Sequence, residues 1–208
     1  PGTPEQGRGV LMATPGKPSF VRREGTFERE PARRVFAAEL RETRIHFREG
    51  DDEKSPTYVL LPTGERCNRV FLVGTLTEKK KQGEQNMFYR ARVVDPTGTF
   101  FIMAGSYQPE AMQQIARIEA PAFVAVAGKP NVYETPDGAT LISVRCESIT
   151  AVDKDTRDRW VLDCAQATLD RIDQMGSTQY GERAQKEYHT DPAVFREMVA
   201  EALSQLKM

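Results

Sequence analysis

The pattern of apolar and polar residues between positions 68 and 153 predicts five β-strands. The first three cover residues 68–77, 87–95 and 99–104, and the last two cover 122–134 and 139–149. In the second strand, Tyr89, Ala91 and Val93 alternate with Phe88, Arg90 and Arg92, which is the two-residue period of a half-buried strand. The polar, lysine-rich residues 78–86 are predicted to form a loop between the first two strands.

A tight turn and a short helix are predicted between these strands. Residues 95–98 read Asp-Pro-Thr-Gly, and Asp95 is interpreted as a residue that bonds its own turn rather than as a catalytic acid. Apolar residues at helical spacing predict a helix over 109–118. Five strands with one helix between the third and the fourth is the order of an OB-fold barrel, and another small barrel or sandwich with one helix is the alternative.

The residues before the predicted barrel divide into two parts. Residues 1–30 are punctuated by proline and glycine and are predicted to form a disordered tail. Residues 31–67 are predicted to be an extension that packs on the barrel, with an extended segment at 31–47 and a short strand at 58–61. A short helix at 32–40 is the alternative, because alanine, arginine, glutamate and leucine favour helices.

A change to helical period follows the barrel, so the predicted fold class is mainly β with C-terminal α-helices. Residues 154–175 contain no glycine or proline and carry two apolar stripes, which indicates two neighbours: the barrel and something else. The alternative is that one wide stripe covers the barrel mouth. Residues 176–208 are predicted to be a linker and an amphipathic helix that begins at Asp191-Pro192 and buries its apolar face on its own chain or on a partner.

Composition excludes several classes of function. The formal net charge is −1, so nucleic-acid binding would need a local basic patch. Three widely spaced cysteines and no apolar run of membrane-spanning length predict a cytoplasmic protein that does not enter a membrane. The two histidines lack metal-ligand spacing, and no phosphate-binding glycine loop is present. We therefore expect no metal, no cofactor and no enzymatic activity.

The outer face of an OB barrel is where aromatic rings and cations bind single strands. Single-stranded DNA contacts are therefore predicted, if the chain binds DNA directly, at seven positions: Arg69, Phe71, Lys80, Phe88, Arg90, Arg92 and Tyr133.

Several short motifs between residues 33 and 172 carry a family likeness. They are RRVFAAE at 33–39, NRVF at 68–71, RAR at 90–92 with DPTGTF at 95–100, YQPE at 107–110, PAFVAVAGK at 121–129, SVR at 143–145 and DRWVL at 158–162. As a set they resemble the archaeal replication protein A-associated OB-fold proteins. The resemblance implies an accessory protein or subunit of replication protein A, the single-stranded DNA-binding complex of replication and repair.

The same resemblance implies that the helix after the barrel joins a bundle with replication protein A subunits. The predicted partner-binding residues are Trp160, Val161, Cys164, Leu169 and Ile172. An independent single-stranded DNA-binding protein is the alternative. A third hypothesis is a scaffold whose tail or final helix recruits a further replication protein.

Overall fold

The computed structural model describes residues 30–50, 55–189 and 191–206, so all but Glu30 of the predicted tail lies outside the described residues. The elements in chain order are β1 (Arg33–Arg34), α1 (Ala37–Arg41), β2 (Ile45–Arg48), β3 (Thr57–Leu60), β4 (Arg66–Cys67), β5 (Val70–Gln82), β6 (Phe88–Asp95), β7 (Gly98–Ala104), α2 (Pro109–Arg117), β8 (Ala122–Glu134), β9 (Thr140–Ala151), α3 (Lys154–Gln174), α4 (Gln179–Tyr188) and α5 (Pro192–Ser204). No helix in these described ranges is long and apolar enough to cross a membrane.

The predicted barrel is confirmed. Strands β5, β6, β7, β9 and β8 are hydrogen-bonded in that order, and β5 also pairs with β8, which closes the ring. All neighbouring pairs of the ring are antiparallel except β7 and β9, which are parallel. The helix α2 lies between the third and fourth barrel strands in sequence, as predicted.

The lysine-rich segment is a strand, so the prediction of a loop over residues 78–86 is wrong for its first half. Strand β5 continues to Gln82, after an irregularity between Leu76 and Glu78, and pairs with β6 along this length. Lys79 turns toward α2, where its Nζ donates hydrogen bonds to the carbonyls of Ile115 at 3.0 Å and Ala116 at 2.7 Å. Backbone pairing with β6 therefore outweighs the low strand propensity of lysine.

The N-terminal extension contributes a short parallel strand, a helix and a second sheet. β1 pairs with the start of β5, and β2, β3 and β4 form a separate antiparallel sheet. The extended conformation predicted for residues 31–47 is wrong at Ala37–Arg41, where the chain forms the short helix α1. Leu60 of this second sheet packs with Met175, Ala184 and Tyr188, which come from the end of α3 and from α4.

The helix α3 packs into the core of its own chain. Trp160 is 2 % exposed, and its Nε1 donates a hydrogen bond to the carbonyl of Phe71 in the barrel at 3.1 Å. Val161 and Cys164 are fully buried, Ile172 is buried, and Leu169 is half-buried against the same core. The chain itself covers Trp160, Val161, Cys164 and Ile172, so the prediction that they form a partner surface is wrong. Leu169 keeps only part of its side chain exposed.

The second neighbour that the two stripes of α3 indicate is α5. Asp191 caps α5, since its Oδ1 accepts a hydrogen bond from the Ala193 amide at 2.9 Å, and Pro192 is the first helical residue. Val199 and Ala202 of α5 are buried in the same core cluster as Trp160 and Ala165 of α3. The C-terminal helix thus buries its apolar face on its own chain.

Candidate nucleic-acid interface

A groove of about 660 Å³ lies on the outer face of the barrel, between strands β6 and β7 and the β8–β9 hairpin. Its lining residues come from all five barrel strands and from α1: Ala37, Leu40, Arg41, Gln82, Phe88, Arg90, Thr99, Phe100, Phe101, Met103, Asn131, Tyr133, Thr140, Leu141, Ile142, Ser143 and Val144. This is the region where an OB fold holds oligonucleotides, close to the loops after its first and fourth strands.

Strand alternation supplies the floor of the groove. Phe100 and Ile102 of β7 point into the barrel and are buried, so Phe101 and Met103 between them face outward. The register of β6 and β7 places Met103 opposite Arg90 and Phe101 opposite Arg92. The floor therefore presents an aromatic ring and a thioether beside two cations.

The cations of β6 lie over the half-buried aromatic ring of Phe101. The guanidinium carbon of Arg90 is 5.4 Å from the centroid of the Phe101 ring, and that of Arg92 is 5.8 Å from it. Cation–π contacts of this kind orient arginine side chains along an aromatic face. Arg92 also pairs with Glu78 at 3.3 Å, and Lys80 pairs with the same carboxylate at 2.6 Å. Lys80 lies opposite Arg90 in the β5–β6 ladder.

The hairpin of β8 and β9 forms the facing wall. Tyr133 and Leu141 are paired across this hairpin, and each is 56 % exposed. Neither of these two large side chains is buried in the core of the chain. They therefore widen the apolar surface available to a ligand in the groove.

The helix α1 closes one end of the groove and is held there by the β6–β7 turn. Oδ2 of Asp95 accepts a hydrogen bond from the Ala37 amide at 2.8 Å, and Oδ1 accepts from the amides of Thr97 at 2.7 Å and Gly98 at 2.9 Å. Burial raises the pKa of the Asp95 carboxyl, and the hydrogen bonds from Ala37 and Thr97 act against that shift. Asp95 is thus the turn residue that the sequence predicts.

The structure brings five of the seven predicted nucleic-acid residues together. Phe88, Arg90 and Tyr133 line the groove, and Arg92 and Lys80 lie beside it.

Arg69 and Phe71 do not belong to this surface, and their prediction is corrected. Nε of Arg69 donates a hydrogen bond to Glu147 at 2.6 Å, which fixes its side chain away from the groove. Phe71 packs against the core, and the guanidinium of Arg34 lies 5.6 Å from the centroid of its ring. The physical reason is that the first half of β5 pairs with β8 and β1, on the side of the barrel that α3 covers.

Sequence reasoning missed Arg41, Asn131 and Leu141 as groove residues. A signal for Leu141 was present, because Leu141 and Ile142 are consecutive apolar residues in an alternating strand and one of them must face outward. No comparable signal identified Arg41, which reaches the groove because α1 is anchored to a turn distant in sequence.

The groove suits a ligand that has flat apolar faces and negative charge. Its described lining residues include aromatic rings and two arginines, and none of them is acidic. Unpaired bases stack on exposed aromatic rings, and arginine holds the phosphates between them.

Comparison with known proteins establishes the fold alone. No protein-family model matches the chain, and no curated protein matches it. A chain from the crystal structure of the S. pombe Stn1–Ten1 complex superposes with a TM-score of 0.55 and 10 % identity, covering 69 % of this chain and 96 % of that one. The second single-stranded DNA-binding protein of Mycobacterium smegmatis superposes with a TM-score of 0.35 and 14 % identity, covering 41 % of this chain and 86 % of that one. The chain has an OB fold followed by C-terminal helices.

Proposed function

We propose that this chain is a non-enzymatic protein that binds single-stranded DNA along the barrel groove. The observation that carries the proposal is the composition of the groove, in which aromatic rings and arginines line the surface and no described lining residue is acidic. In this proposal the bases stack on Phe101, Phe88 and Tyr133. Arg90 and Lys80 contact the phosphates.

The charge of the chain favours a mode of binding in which stacking contributes most of the affinity. Because the formal net charge is −1, the protein has no long-range attraction for a polyanion. Each base stacked on an aromatic ring contributes about 1–3 kcal/mol. Stacking itself releases no counterions from the phosphates, so this contribution depends little on salt. Stacking needs an exposed base face, which a paired duplex does not offer along its length. We therefore expect a preference for single strands over duplexes and a modest salt dependence.

Fluorescence anisotropy of a labelled oligothymidylate, titrated with protein at several salt concentrations, tests the proposal. Phe101→Ala should weaken binding by about 5- to 150-fold, the equivalent of one lost stack, with little change in the salt slope. Arg90→Ala should weaken binding and reduce the salt slope by about 0.7, the contribution of one phosphate contact on a single strand. Arg159→Ala is the matched control, because Arg159 lies on α3 and its side chain is 78 % exposed.

Two results would contradict direct binding. One is the lack of measurable affinity of the wild-type chain at low salt. The other is an unchanged affinity in both groove variants, which would place any DNA contact elsewhere on the molecule.

We further propose that the chain acts in single-stranded DNA handling as an accessory protein or subunit of replication protein A. The resemblance over residues 33–172 supports this proposal. The S. pombe structure that superposes on this chain also comes from a complex, that of Stn1 and Ten1.

Most of the apolar surface of α3 is covered by the chain itself. An association surface therefore has to use exposed positions such as Leu162 on α3, which is 50 % exposed. The apolar face of α5 is buried, so a further replication protein would have to contact the outward face of that helix.

Gel filtration with light scattering, on the chain alone and mixed with replication protein A of the same organism, tests this association. A complex of defined mass without DNA supports it, and Leu162→Glu should then reduce complex formation without unfolding the chain. If the two proteins elute as separate species, both with and without an oligonucleotide, the association is contradicted. The alternative of an independent DNA-binding protein then remains.

A further inference from the structure

A second cavity, of about 300 Å³, lies beside the groove, where β8 and β9 meet the second sheet. Its lining is mostly polar and comes from β8, β9, the second sheet and the segments next to it: His46, Ser55, Pro56, Thr57, Val59, Asn68, Lys129, Pro130, Asn131, Val132 and Arg145. Asn131 lines both this cavity and the groove. The two are therefore neighbouring parts of one continuous surface.

Two cations face each other in this second cavity. Lys129 of β8 and Arg145 of β9 are directly opposite in the antiparallel ladder. Like charges in this position repel each other and destabilise a sheet. Gly128 allows the two strands to approach closely here, since a Cβ at that position would lie 2.4 Å from the carbonyl oxygen of Arg145. The fold thus holds two positive charges together on a rigid part of the barrel.

No described residue neutralises this pair. Neither Lys129 nor Arg145 makes a salt bridge or side-chain hydrogen bond within the described ranges. The carboxylate of Glu147, two residues from Arg145, is bonded to Arg69 instead. Two opposed cations beside hydroxyl, amide and imidazole groups form a surface that is complementary to an anion.

The sheet register joins this pair to the groove. Arg145 lies beside Met103 in the parallel β7–β9 ladder, and Met103 lies opposite Arg90, which lies opposite Lys80. One row therefore crosses five strands in the order Lys80, Arg90, Met103, Arg145 and Lys129. With neighbouring strands about 4.8 Å apart, the row is about 19 Å long when it is measured along the curve of the closed barrel. The cations of this row therefore lie on one path around the barrel surface.

We propose that Lys129 and Arg145 bind the sugar-phosphate backbone of a DNA strand where it leaves the groove, an inference that rests on the proposed function. Among the described residues that line this second cavity, the imidazole of His46 is the one aromatic ring. The cavity therefore contacts phosphates rather than stacking bases. The second cavity is continuous with the groove through Asn131, and the row of cations connects the two. The occupant is therefore the same strand that the groove holds.

The proposal predicts how affinity depends on strand length. Oligothymidylates of about 4 to 16 nucleotides, the range of OB-fold site sizes, are titrated against the wild-type chain and the double variant Lys129→Ala/Arg145→Ala. The wild-type affinity should rise with length until the strand reaches the second cavity. The double variant should bind the shortest oligonucleotides with the wild-type affinity. Its affinity should not increase further for strands that are long enough to reach the second cavity. Its salt slope on the longest strand should be about 1.4 smaller, because two phosphate contacts are lost.

Abasic strands separate backbone contacts from base contacts. A short oligothymidylate extended by abasic phosphodiester units, on its 5′ side in one probe and its 3′ side in another, should regain the affinity of the longer strand through one of the two extensions. An affinity gain that requires bases in the extension overturns the proposal. The double variant Lys154→Ala/Arg159→Ala removes the same charge from the surface of α3 and is the matched control.

The outcomes for the two proposals differ. If the wild-type chain binds no oligonucleotide of any length, both proposals fail. If it binds in the groove and the Lys129→Ala/Arg145→Ala variant shows the wild-type length dependence and salt slope, the proposed function stands and this inference is wrong. Circular dichroism melting of each variant confirms that the barrel remains folded.

Discussion

The carboxylate of Asp95 accepts a hydrogen bond from the backbone amide of Ala37 at 2.8 Å, across 58 residues of sequence. The hydroxyl of Thr97, two residues further on, accepts another from the amide of Ala38 at 3.0 Å. The β6–β7 turn thus caps the first turn of α1. Because Ala37 and Arg41 of α1 line the groove, this turn fixes the position of one end of the candidate binding surface.

Asp95→Asn should destabilise the chain and displace this end of the groove. An asparagine keeps the size of the side chain, but its amide nitrogen cannot accept a hydrogen bond, so a buried donor loses its partner. We expect the free energy of unfolding to fall by about 1–3 kcal/mol, measured by urea denaturation.

The matched control is Asp137→Asn in the β8–β9 turn. Asp137 is exposed and is also a turn residue, hydrogen-bonded to Thr135. An equal loss of stability in the two variants would show that α1 does not depend on the carboxylate of Asp95.

The sequence predicted the local role of Asp95 and could not predict its distant one. Bonds to Thr97 and Gly98 follow from turn chemistry within four residues. The bond to Ala37 requires the position of α1 in three dimensions, and the interpretation of residues 31–47 as extended obscured it. For the same reason, periodicity found two stripes on α3 and could not identify α5 as the element that covers one of them.

A buried ion pair joins the N-terminal extension to α3, and breaking it should be strongly destabilising. Nη2 of Arg171 is 2.9 Å from Oε2 of Glu39, and Nε is 3.2 Å from Oε1. Glu39 has no exposed surface and also accepts hydrogen bonds from the hydroxyls of Thr63 and Thr168. Arg171→Met leaves a buried carboxylate without its cation, and we expect a loss of about 3–5 kcal/mol in the free energy of unfolding.

A double-mutant cycle separates the pair from its surroundings. Glu39→Met/Arg171→Met removes both charges, so it should be more stable than the Arg171→Met single variant. Urea denaturation measures the loss in the free energy of unfolding for Glu39→Met, for Arg171→Met and for the double variant. If the two single losses add up to the loss of the double variant, the two side chains do not interact in solution.

The three cysteines should be unreactive in the folded chain. Cys67, Cys146 and Cys164 are each at most 1 % exposed. Burial raises the pKa of the thiols of Cys67 and Cys146 to about 12, and it raises the pKa of the Cys164 thiol well above its usual value. A chromogenic disulfide reagent at pH 8 should therefore titrate none of the thiols rapidly, and all of them after unfolding in guanidinium.

The reactivity of Cys164 tests the packing of α3 directly. Because Cys164 lies on the buried face of α3, a fast reaction of this thiol would show that the helix leaves the barrel in solution. Variants that retain only one cysteine at a time identify which thiol reacts. Slow reaction of Cys164 would show that the buried face of α3 stays packed against its own chain in solution.

Adjacent residues of α5 provide a test of its packing. Phe195 is 3 % exposed, whereas its neighbour Val194 is 55 % exposed. Phe195→Ala should reduce the free energy of unfolding by about 3–5 kcal/mol, because it removes a buried aromatic ring. Val194→Ala should change it by less than about 0.5 kcal/mol. Similar thermal melting of the two variants would contradict burial of the α5 face on this chain.

Loss of stability at high pH should depend on Tyr58. Burial and a hydrogen bond of 2.6 Å from the Tyr58 hydroxyl to Glu30 raise the pKa of Tyr58 from 10.0 to about 12. Between pH 10 and 12 the unfolded chain therefore releases this proton while the folded chain keeps it. The stabilising contribution of the protonated hydroxyl is complete below pH 10 and is lost as the pH rises through 12. Tyr58→Phe removes this titration, so its stability should fall less steeply over that interval.

Urea denaturation at a series of pH values from 8 to 12 measures the difference between the wild-type and Tyr58→Phe chains. The other tyrosines with a raised pKa, Tyr180 and Tyr188, titrate in both proteins, so their contributions cancel in that difference. Tyr107→Phe, at a side chain that is 93 % exposed, controls for removal of a hydroxyl from the surface. Parallel curves for the wild type and Tyr58→Phe would show that the pKa of Tyr58 is not raised in the folded chain. A smaller slope in Tyr58→Phe alone would establish that burial and the Glu30 contact together hold the Tyr58 hydroxyl in its protonated form.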